Sequence, residues 1–195
     1  MKTLDEYVLV YEDVVSESLA TALLDEYRES DNWVNYDPEK GGVENAASAI
    51  SIAHPEVTER STGREKLATE VANALGATFD RYHARFSRRE QGLNFLHIDK
   101  LVGLRLIRYE TGQFMKIHTD KYPDAETGSL SWPAVTFTIN LNDDFSGGEL
   151  NLLDGEMVIK VNARQGIFFP ANFLFPHSVE KVAEGTRYAL VGWFL

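Results

Sequence analysis

The segment Tyr109-Glu-Thr-Gly-Gln-Phe-Met-Lys-Ile-His118-Thr-Asp120 organises the chain, and Pro176-His177 follows it far downstream. A His-x-Asp pair with one distant His is the ligand set of the two-histidine, one-carboxylate facial triad, which binds a ferrous ion and leaves open positions for substrate. We therefore predict that His118, Asp120 and His177 are metal ligands. The rest of the chain is expected to be the scaffold that brings these three side chains together.

A second His-x-Asp pair, His97-Ile-Asp99, competes for the same role. We prefer His118 and Asp120 because they follow a predicted strand and a turn at Gly112, where the end of a rigid element can present ligands. They also precede the strand-rich part of the chain, so that His177 can return from a late strand. The earlier pair lies in an irregular stretch, and we interpret it as a surface turn or a local hydrogen bond.

The composition limits the class of protein and its partners. The chain has 195 residues, of which 44% are hydrophobic and 25% charged, and these values are typical of one globular domain. Its net charge of −11 repels phosphate backbones, so a nucleic-acid partner is not expected. No cysteine is present, which leaves His and carboxylate as the metal ligands. The sequence lacks a signal-peptide pattern and a membrane-spanning apolar run, so we expect a soluble, cytoplasmic protein.

The first hundred residues predict two helices and two short strands. Ser16 is the expected N-cap of the first helix, and Thr62-Gly-Arg-Glu65 has the form of a capping box before the second. In both helices, apolar residues recur every three or four positions, which indicates one buried face. Strands are predicted at residues 7–11 and 48–53. The stretch 31–47 is rich in Asp, Asn, Gly and Pro, and we predict a long covering loop there.

From residue 101 onward the sequence predicts short strands separated by turn residues. The predicted strands are residues 102–109, 134–141, 149–153, 158–161, 166–169 and 188–194. This pattern predicts a mostly β fold with flanking helices. We expect a double-stranded β-helix, a jelly-roll or cupin-like barrel, buttressed by the two N-terminal helices. Residues 1–195 are predicted to form a single domain, with support and lid loops in 1–100 and the jelly-roll core in 101–195.

The order and spacing of Tyr109, His118, Asp120, His177 and Arg187 are a specific signal. Further motifs are Ser146-Gly-Gly-Glu-Leu150, Gly166-Ile-Phe-Phe169 and Arg187-Tyr-Ala-Leu-Val-Gly-Trp193. With these motifs the chain resembles the 2-oxoglutarate- and Fe(II)-dependent dioxygenases, and within them the prolyl 4-hydroxylase branch. The likeness is close over residues 101–195 and looser over the strand and helix that begin the chain.

The resemblance implies an enzyme that hydroxylates a C–H bond of a proline in a peptide or protein partner, as procollagen-proline dioxygenases do. It implies that Fe(II), 2-oxoglutarate and O2 are used, that succinate and CO2 are released, and that ascorbate is the reductant. His118, Asp120 and His177 would then be the catalytic metal centre. Tyr109 would contact 2-oxoglutarate through its hydroxyl. Arg187 would bind the far carboxylate, for which its planar fork of donors is suited.

Several alternatives remain open from the sequence. The same oxidation can act on a free amino acid or another small molecule, and a metal-containing cupin-like module can bind a ligand without turnover. A nucleic-acid demethylase is disfavoured by the net charge.

The sequence also departs from relatives near the predicted site. Met115 stands where relatives often have an aromatic residue, and Ile139 lies on the strand where some place a further tyrosine. Contacts to 2-oxoglutarate beyond Tyr109 and Arg187 are therefore not predicted. Arg105 shares a strand face with Tyr109 and can point toward the barrel mouth. Residues 121–133, which include Trp132, are a candidate substrate-side loop.

Overall fold

A computed structural model describes residues 3–35, 45–52, 62–86, 98, 100–123 and 130–195. The helices of this part of the chain are α1 (Glu17–Tyr27) and α2 (Thr62–Phe86). The strands before residue 120 are β1 (Leu9–Tyr11), β2 (Val34–Asn35), β3 (Asn45–Ala46), β4 (Ser48–Ser51), β5 (Leu101–Glu110) and β6 (Phe114–His118). The later strands are β7 (Tyr122–Pro123), β8 (Leu130–Ser131), β9 (Val135–Asn140), β10 (Ser146–Gly147), β11 (Leu150–Leu152), β12 (Met157–Ile159), β13 (Gly166–Pro170), β14 (His177–Val179), β15 (Val182–Glu184) and β16 (Thr186–Phe194).

Two antiparallel sheets face each other. The larger has the order β1-β13-β9-β16-β5-β4-β2, and the smaller has the order β12-β11-β14-β6-β3. From β5 onward, the strands that belong to these two sheets change sheet at every step except between the paired strands β11 and β12, which is the winding of a jelly roll. The predicted double-stranded β-helix with two supporting helices is confirmed.

The two helices cover the outer face of the larger sheet. Leu23 and Tyr27 of α1 and Leu75 and Phe79 of α2 are buried in one cluster with outward-facing strand residues such as Leu106. The ring of Phe79 stacks on Phe194 of β16, with centroids 4.0 Å apart. Burial of this apolar surface is the main stabilising contribution of the helical layer. The helices therefore hold the larger sheet rigid without entering the space between the sheets.

A second apolar cluster fills the space between the sheets. It contains Ile107 and Tyr109 of β5, Phe169 of β13, Leu152 of β11 and Val179 of β14. Strand side chains alternate between the two faces, so β5 sends Arg105, Ile107 and Tyr109 into this space. Leu104, Leu106 and Arg108 lie on the helical side.

The sequence predicted most elements, with shifted ends. Ser16 is the N-cap of α1, where its hydroxyl accepts a hydrogen bond from the Leu19 amide at 3.1 Å. The first strand begins at Leu9, because a 3₁₀ turn occupies Leu4–Tyr7. Thr62 is the first residue of α2 instead of the residue before it. Within 31–47, β2 and β3 replace part of the expected loop, and residues 36–44 lie outside the described ranges.

None of the helices in the described part of the chain has the length and apolar character needed to cross a membrane. The single-domain boundaries and the localisation stay predictions.

Leu75→Ala should lower the free energy of unfolding by about 2–5 kcal/mol, because it leaves a cavity between α2 and the sheet. Leu67→Ala makes the same chemical change on the same helix at a partly buried position and should cost less. Chemical denaturation of both variants measures the difference. Equal losses would contradict the packing of α2 described above.

Candidate metal centre

Strands β6 and β14 bring two imidazoles together. Their antiparallel register sets His177 opposite His118, and the ring centroids are 4.3 Å apart. The register then shifts, because Val179 pairs with Met115, which leaves one extra residue on β6. This bulge lets Met115 and His118, three positions apart, both face the space between the sheets.

Asp120 completes the group two residues beyond β6. Its Oδ1 lies 3.7 Å from Nε2 of His118, and its Oδ2 lies 3.5 Å from Nε2 of His177. One potential ligand atom from each residue lies within 4.8 Å of the others. The three residues singled out in the sequence therefore lie together, and their role as metal ligands stays a prediction. The competing pair, His97 and Asp99, lies outside the described residues.

Backbone carbonyls orient both imidazoles in the same way. Nδ1 of His118 lies 2.9 Å from the carbonyl oxygen of Lys116, and Nδ1 of His177 lies 3.1 Å from that of Phe175. A carbonyl oxygen can only accept, so in each ring the neutral tautomer carries its proton on Nδ1 and keeps a lone pair on Nε2. The two Nε2 atoms that face Asp120 are thus prepared to bind a metal.

A hydroxyl of the larger sheet fixes the Asp120 carboxylate. The Thr136 side chain of β9 donates a hydrogen bond to Oδ2 at 2.5 Å. Burial acts to raise the pKa of Asp120, but His177, His118, Thr136 and Trp193 of β16 hold it below its ordinary value. Burial lowers the pKa of His177 to about 4, although Asp120 opposes that shift. Near neutral pH the site therefore presents a neutral His177 and one negative charge on Asp120.

A cavity opens beside these residues, and both sheets line it. Its walls combine the three candidate ligands with apolar and hydroxyl side chains. The lining residues are Arg105, Ile107, Tyr109, Met115, His118, Asp120, Thr136, Thr138, Leu150, Phe169, His177, Val179 and Val191. Tyr109, a predicted co-substrate contact, is thus on the cavity wall, and its hydroxyl lies 3.8 Å from Sδ of Met115.

Arg187 is the neighbour of Tyr109 on the next strand, and it is not among the residues that line the cavity. The two residues are opposite each other in β16 and β5, with the guanidinium carbon 5.2 Å from the centroid of the Tyr109 ring. Arg187 is only 1% exposed, and its Nε donates to Oδ1 of Asn140 at 2.9 Å. Burial lowers the pKa of Arg187, while Tyr109 and Glu149 act to raise it. The ion pairs between described residues do not include Arg187.

Three residues of the site were missed by the sequence analysis. Thr136 and Asn140 lie on β9, whose six residues are all buried, and a polar side chain within such a strand was the available signal. Trp193 was noted in the sequence only as the end of a motif. Of the other candidates, Arg105 lines the cavity. Trp132 is 54% exposed with the Lys121 ammonium 5.1 Å from its ring centroid, and residues 124–129 lie outside the described part of that loop.

Comparison with known proteins shows which family the second half of the chain resembles. The model of the 2OG-Fe(II) oxygenase superfamily matches residues 104–195. These residues are therefore similar to that superfamily. All five predicted site residues lie within this oxygenase segment.

Relatives and solved structures agree with this similarity. A PKHD-type hydroxylase of Rippkaea orientalis is 36% identical over 99 residues, which cover 48% of this chain and 43% of the relative. The match thus spans less than half of that relative's length. The oxygenase segment and its supporting helices have the fold of the viral collagen prolyl hydroxylase of Paramecium Bursaria Chlorella virus-1, solved with 2OG. That likeness has a TM-score of 0.66 and 14% identity over 99% of this chain and 98% of the other.

A second solved structure has the same fold. The prolyl hydroxylase of Trichoplax adhaerens, in complex with a hypoxia inducible factor peptide fragment, gives a TM-score of 0.65. Its identity is 18%, over 97% of this chain and 83% of that one. The resemblance to the prolyl 4-hydroxylase branch is confirmed in fold.

Thr136→Val should weaken metal binding by about 10- to 100-fold, because it removes the hydroxyl that holds the Asp120 carboxylate in place. Thr138→Val is the matched control, since Thr138 lines the same cavity from the same face of β9. Calorimetric titration of both variants with Mn(II) measures the effect. Equal affinities in the two variants would contradict the positioning role of Thr136.

Proposed function

We propose that this protein is a 2-oxoglutarate- and Fe(II)-dependent dioxygenase that hydroxylates a C–H bond of a peptidyl proline. The observation that carries the proposal is the convergence of two Nε2 lone pairs and one carboxylate on a cavity between the sheets. The similarity of residues 104–195 to the 2OG-Fe(II) oxygenase superfamily supports it. The donor set is the one that non-haem iron oxygenases use.

The residues present fit a ferrous ion. His118 and His177 would bind it as neutral imidazoles, and Asp120 would offset one of its two positive charges. Three ligands of an octahedral ion leave positions for other molecules. Fe(II) bound there would, with 2-oxoglutarate and O2, supply the oxidation of a substrate C–H bond with release of succinate and CO2. Ascorbate is the proposed reductant.

Arg187 is the proposed anchor for the far carboxylate of 2-oxoglutarate. A buried guanidinium is costly to desolvate, and among the described residues its hydrogen-bond acceptor through Nε is the neutral Asn140 side chain. A dicarboxylate at this end of the cavity would satisfy its remaining donors through charge-assisted hydrogen bonds. Asn140 holds the guanidinium in place for this, and the neighbouring Tyr109 lines the cavity, where its hydroxyl can contact the same ligand.

The proposed substrate is a proline-containing peptide or protein segment. Support comes from the fold shared with prolyl hydroxylases, one of which was solved with a peptide fragment.

Incubation with Fe(II), ascorbate and labelled 2-oxoglutarate tests the proposal directly. Succinate above the metal-free background, increased by proline-containing peptides that gain one oxygen atom in mass spectrometry, is the expected result. No succinate with or without peptide would instead favour a module that binds a metal without turnover.

His118→Ala and Asp120→Ala should each abolish Fe(II) binding and succinate formation, because each removes one of only three protein ligands. His97→Ala should leave both nearly unchanged. Metal titration and the succinate assay of all three variants decide this. Equal losses at residues 97 and 118 would overturn the choice of His-x-Asp pair.

Arg187→Ala should raise the 2-oxoglutarate concentration needed for half-maximal turnover by about 10- to 150-fold. That range corresponds to the loss of about 1.5–3 kcal/mol for a charged hydrogen-bond partner. Metal affinity should change much less, and Arg187→Lys should recover part of the loss because it keeps the charge without the fork. Arg85→Ala removes an exposed arginine as the control. An unchanged requirement for 2-oxoglutarate would exclude Arg187 as its anchor.

A further inference from the structure

Gly148 packs against the stem of Arg187. It is a buried residue of the motif Ser146-Gly-Gly-Glu-Leu150, directly after β10, and it is not among the residues that line the cavity. A Cβ atom built on Gly148 would lie 3.1 Å from Cδ of Arg187, which is closer than Cβ atoms usually approach their neighbours. The lack of a side chain at residue 148 therefore determines where the Arg187 stem can lie.

The two glycines of this motif are needed for different reasons. A Cβ atom on Gly147 would collide with the main-chain carbonyl oxygen of Lys181. The nearest neighbours of a Cβ atom on Gly148 are side chains, namely Arg187 at 3.1 Å and Cγ2 of Val182 at 3.2 Å. Gly147 thus allows β10 and β15 to approach each other, whereas Gly148 makes room for the arginine.

The Arg187 side chain is held on its other sides as well. Its Nε, which is bonded to Cδ, donates to Oδ1 of Asn140 at 2.9 Å, and its guanidinium carbon lies 5.2 Å from the centroid of the Tyr109 ring. Val182, the second neighbour of Gly148, is fully buried. Because protein interiors are closely packed, a methyl group at residue 148 would displace the arginine by a few tenths of an ångström. That displacement would distort the hydrogen bond to Asn140 and turn the guanidinium.

Recognition of a carboxylate by a guanidinium depends on direction. The two parallel hydrogen bonds form only when the planar fork and the carboxylate face each other at the right distance. Under the proposed function, the other end of 2-oxoglutarate is fixed at the metal centre. The far carboxylate therefore cannot follow a displaced guanidinium, and its hydrogen bonds would weaken.

We propose that Gly148 is a positioning residue for the co-substrate, because the space it leaves fixes the Arg187 guanidinium where the far carboxylate of 2-oxoglutarate binds. This inference rests on the proposed function. Gly148 acts only through Arg187 and touches neither the metal ligands nor the cavity. It thereby contributes to the preference for a 2-oxo acid that carries a second carboxylate.

Calorimetry of the Mn(II)-loaded protein under anaerobic conditions tests the inference without turnover. 2-Oxoglutarate is compared with 2-oxopentanoate, which has the same carbon chain without the far carboxylate. The ratio of the two affinities therefore reports the contact with that carboxylate. Gly148→Ala should reduce this ratio by about 3- to 20-fold, less than Arg187→Ala does, because the guanidinium is displaced but not removed. The affinities for Mn(II) and 2-oxopentanoate should stay within about twofold, and an unchanged ratio overturns the inference.

Gly155→Ala is the matched control for backbone strain. Gly148 has a φ of +70° and Gly155 a φ of +89°, a region that residues with a side chain rarely adopt. A Cβ atom on Gly155 would meet no atom of the described residues within 4 Å. Gly155→Ala should therefore keep the ratio. An equal loss in the two variants would attribute the effect to strain and overturn the positioning role.

A double variant shows whether Gly148 acts through Arg187. Arg187→Ala removes Cδ, so the addition of Gly148→Ala to it should change the affinity for 2-oxoglutarate by less than about twofold. A further loss in the double variant overturns the inference. If Gly148→Ala alone does not fold, thermal denaturation of the double variant decides. Folding should be recovered because the colliding atom is gone, and a double variant that stays unfolded contradicts the proposed contact.

Arg187→Ala separates this inference from the function on which it rests. A ratio that is unchanged in Arg187→Ala would show that the anchor for the far carboxylate is wrong, and the role of Gly148 would be excluded with it. A ratio that is reduced in Arg187→Ala but intact in Gly148→Ala would leave the anchor in place and exclude only the role of Gly148.

Discussion

The pairing of β6 with β14 is the contact on which the candidate site depends. It makes His118 and His177 direct cross-strand partners. Hydrogen bonding between short strands is weak alone, so the flanking strands β3 and β11 and the apolar cluster between the sheets must hold it in register. A slip of one residue would turn His118 to the opposite face of the sheet.

Asp120 links the two sheets through its side-chain contacts. Asp120 follows a strand of the smaller sheet, but Thr136, whose hydroxyl orients it, belongs to a strand of the larger sheet. The spacing between the sheets therefore sets the distance between the carboxylate and the imidazoles. The helices contribute to the chemistry only through this spacing, because they stiffen the outer face of the sheet that carries Thr136.

Local sequence patterns predicted the helices and the long strands, because the apolar periodicity of such an element can be recognised from its own residues. The motif spacing also indicated the ligand set. It did not indicate β14, which is three residues long, or β6, where Lys116 and His118 interrupt the apolar pattern. Thr136, the partner of Asp120, and Asn140, the partner of Arg187, are brought into place by the register between strands that are distant in the sequence. That register depends on bulges in β5 and β6, which cannot be recognised from the local alternation of apolar and polar residues.

The larger sheet combines strands from the beginning of the chain with strands of the oxygenase segment. β1 and β4, from the first 51 residues, flank strands of the oxygenase segment, and the helical layer covers Leu104, Leu106 and Leu190. If residues 104–195 were expressed alone, the apolar outer face of the larger sheet would be exposed to water, and two of its strands would lose their neighbours. Exposed apolar faces and unpaired edge strands both promote aggregation. Segments could thus be exchanged between homologues at surface loops. A chimaera joined near residue 100 would also need the two helices that match its larger sheet.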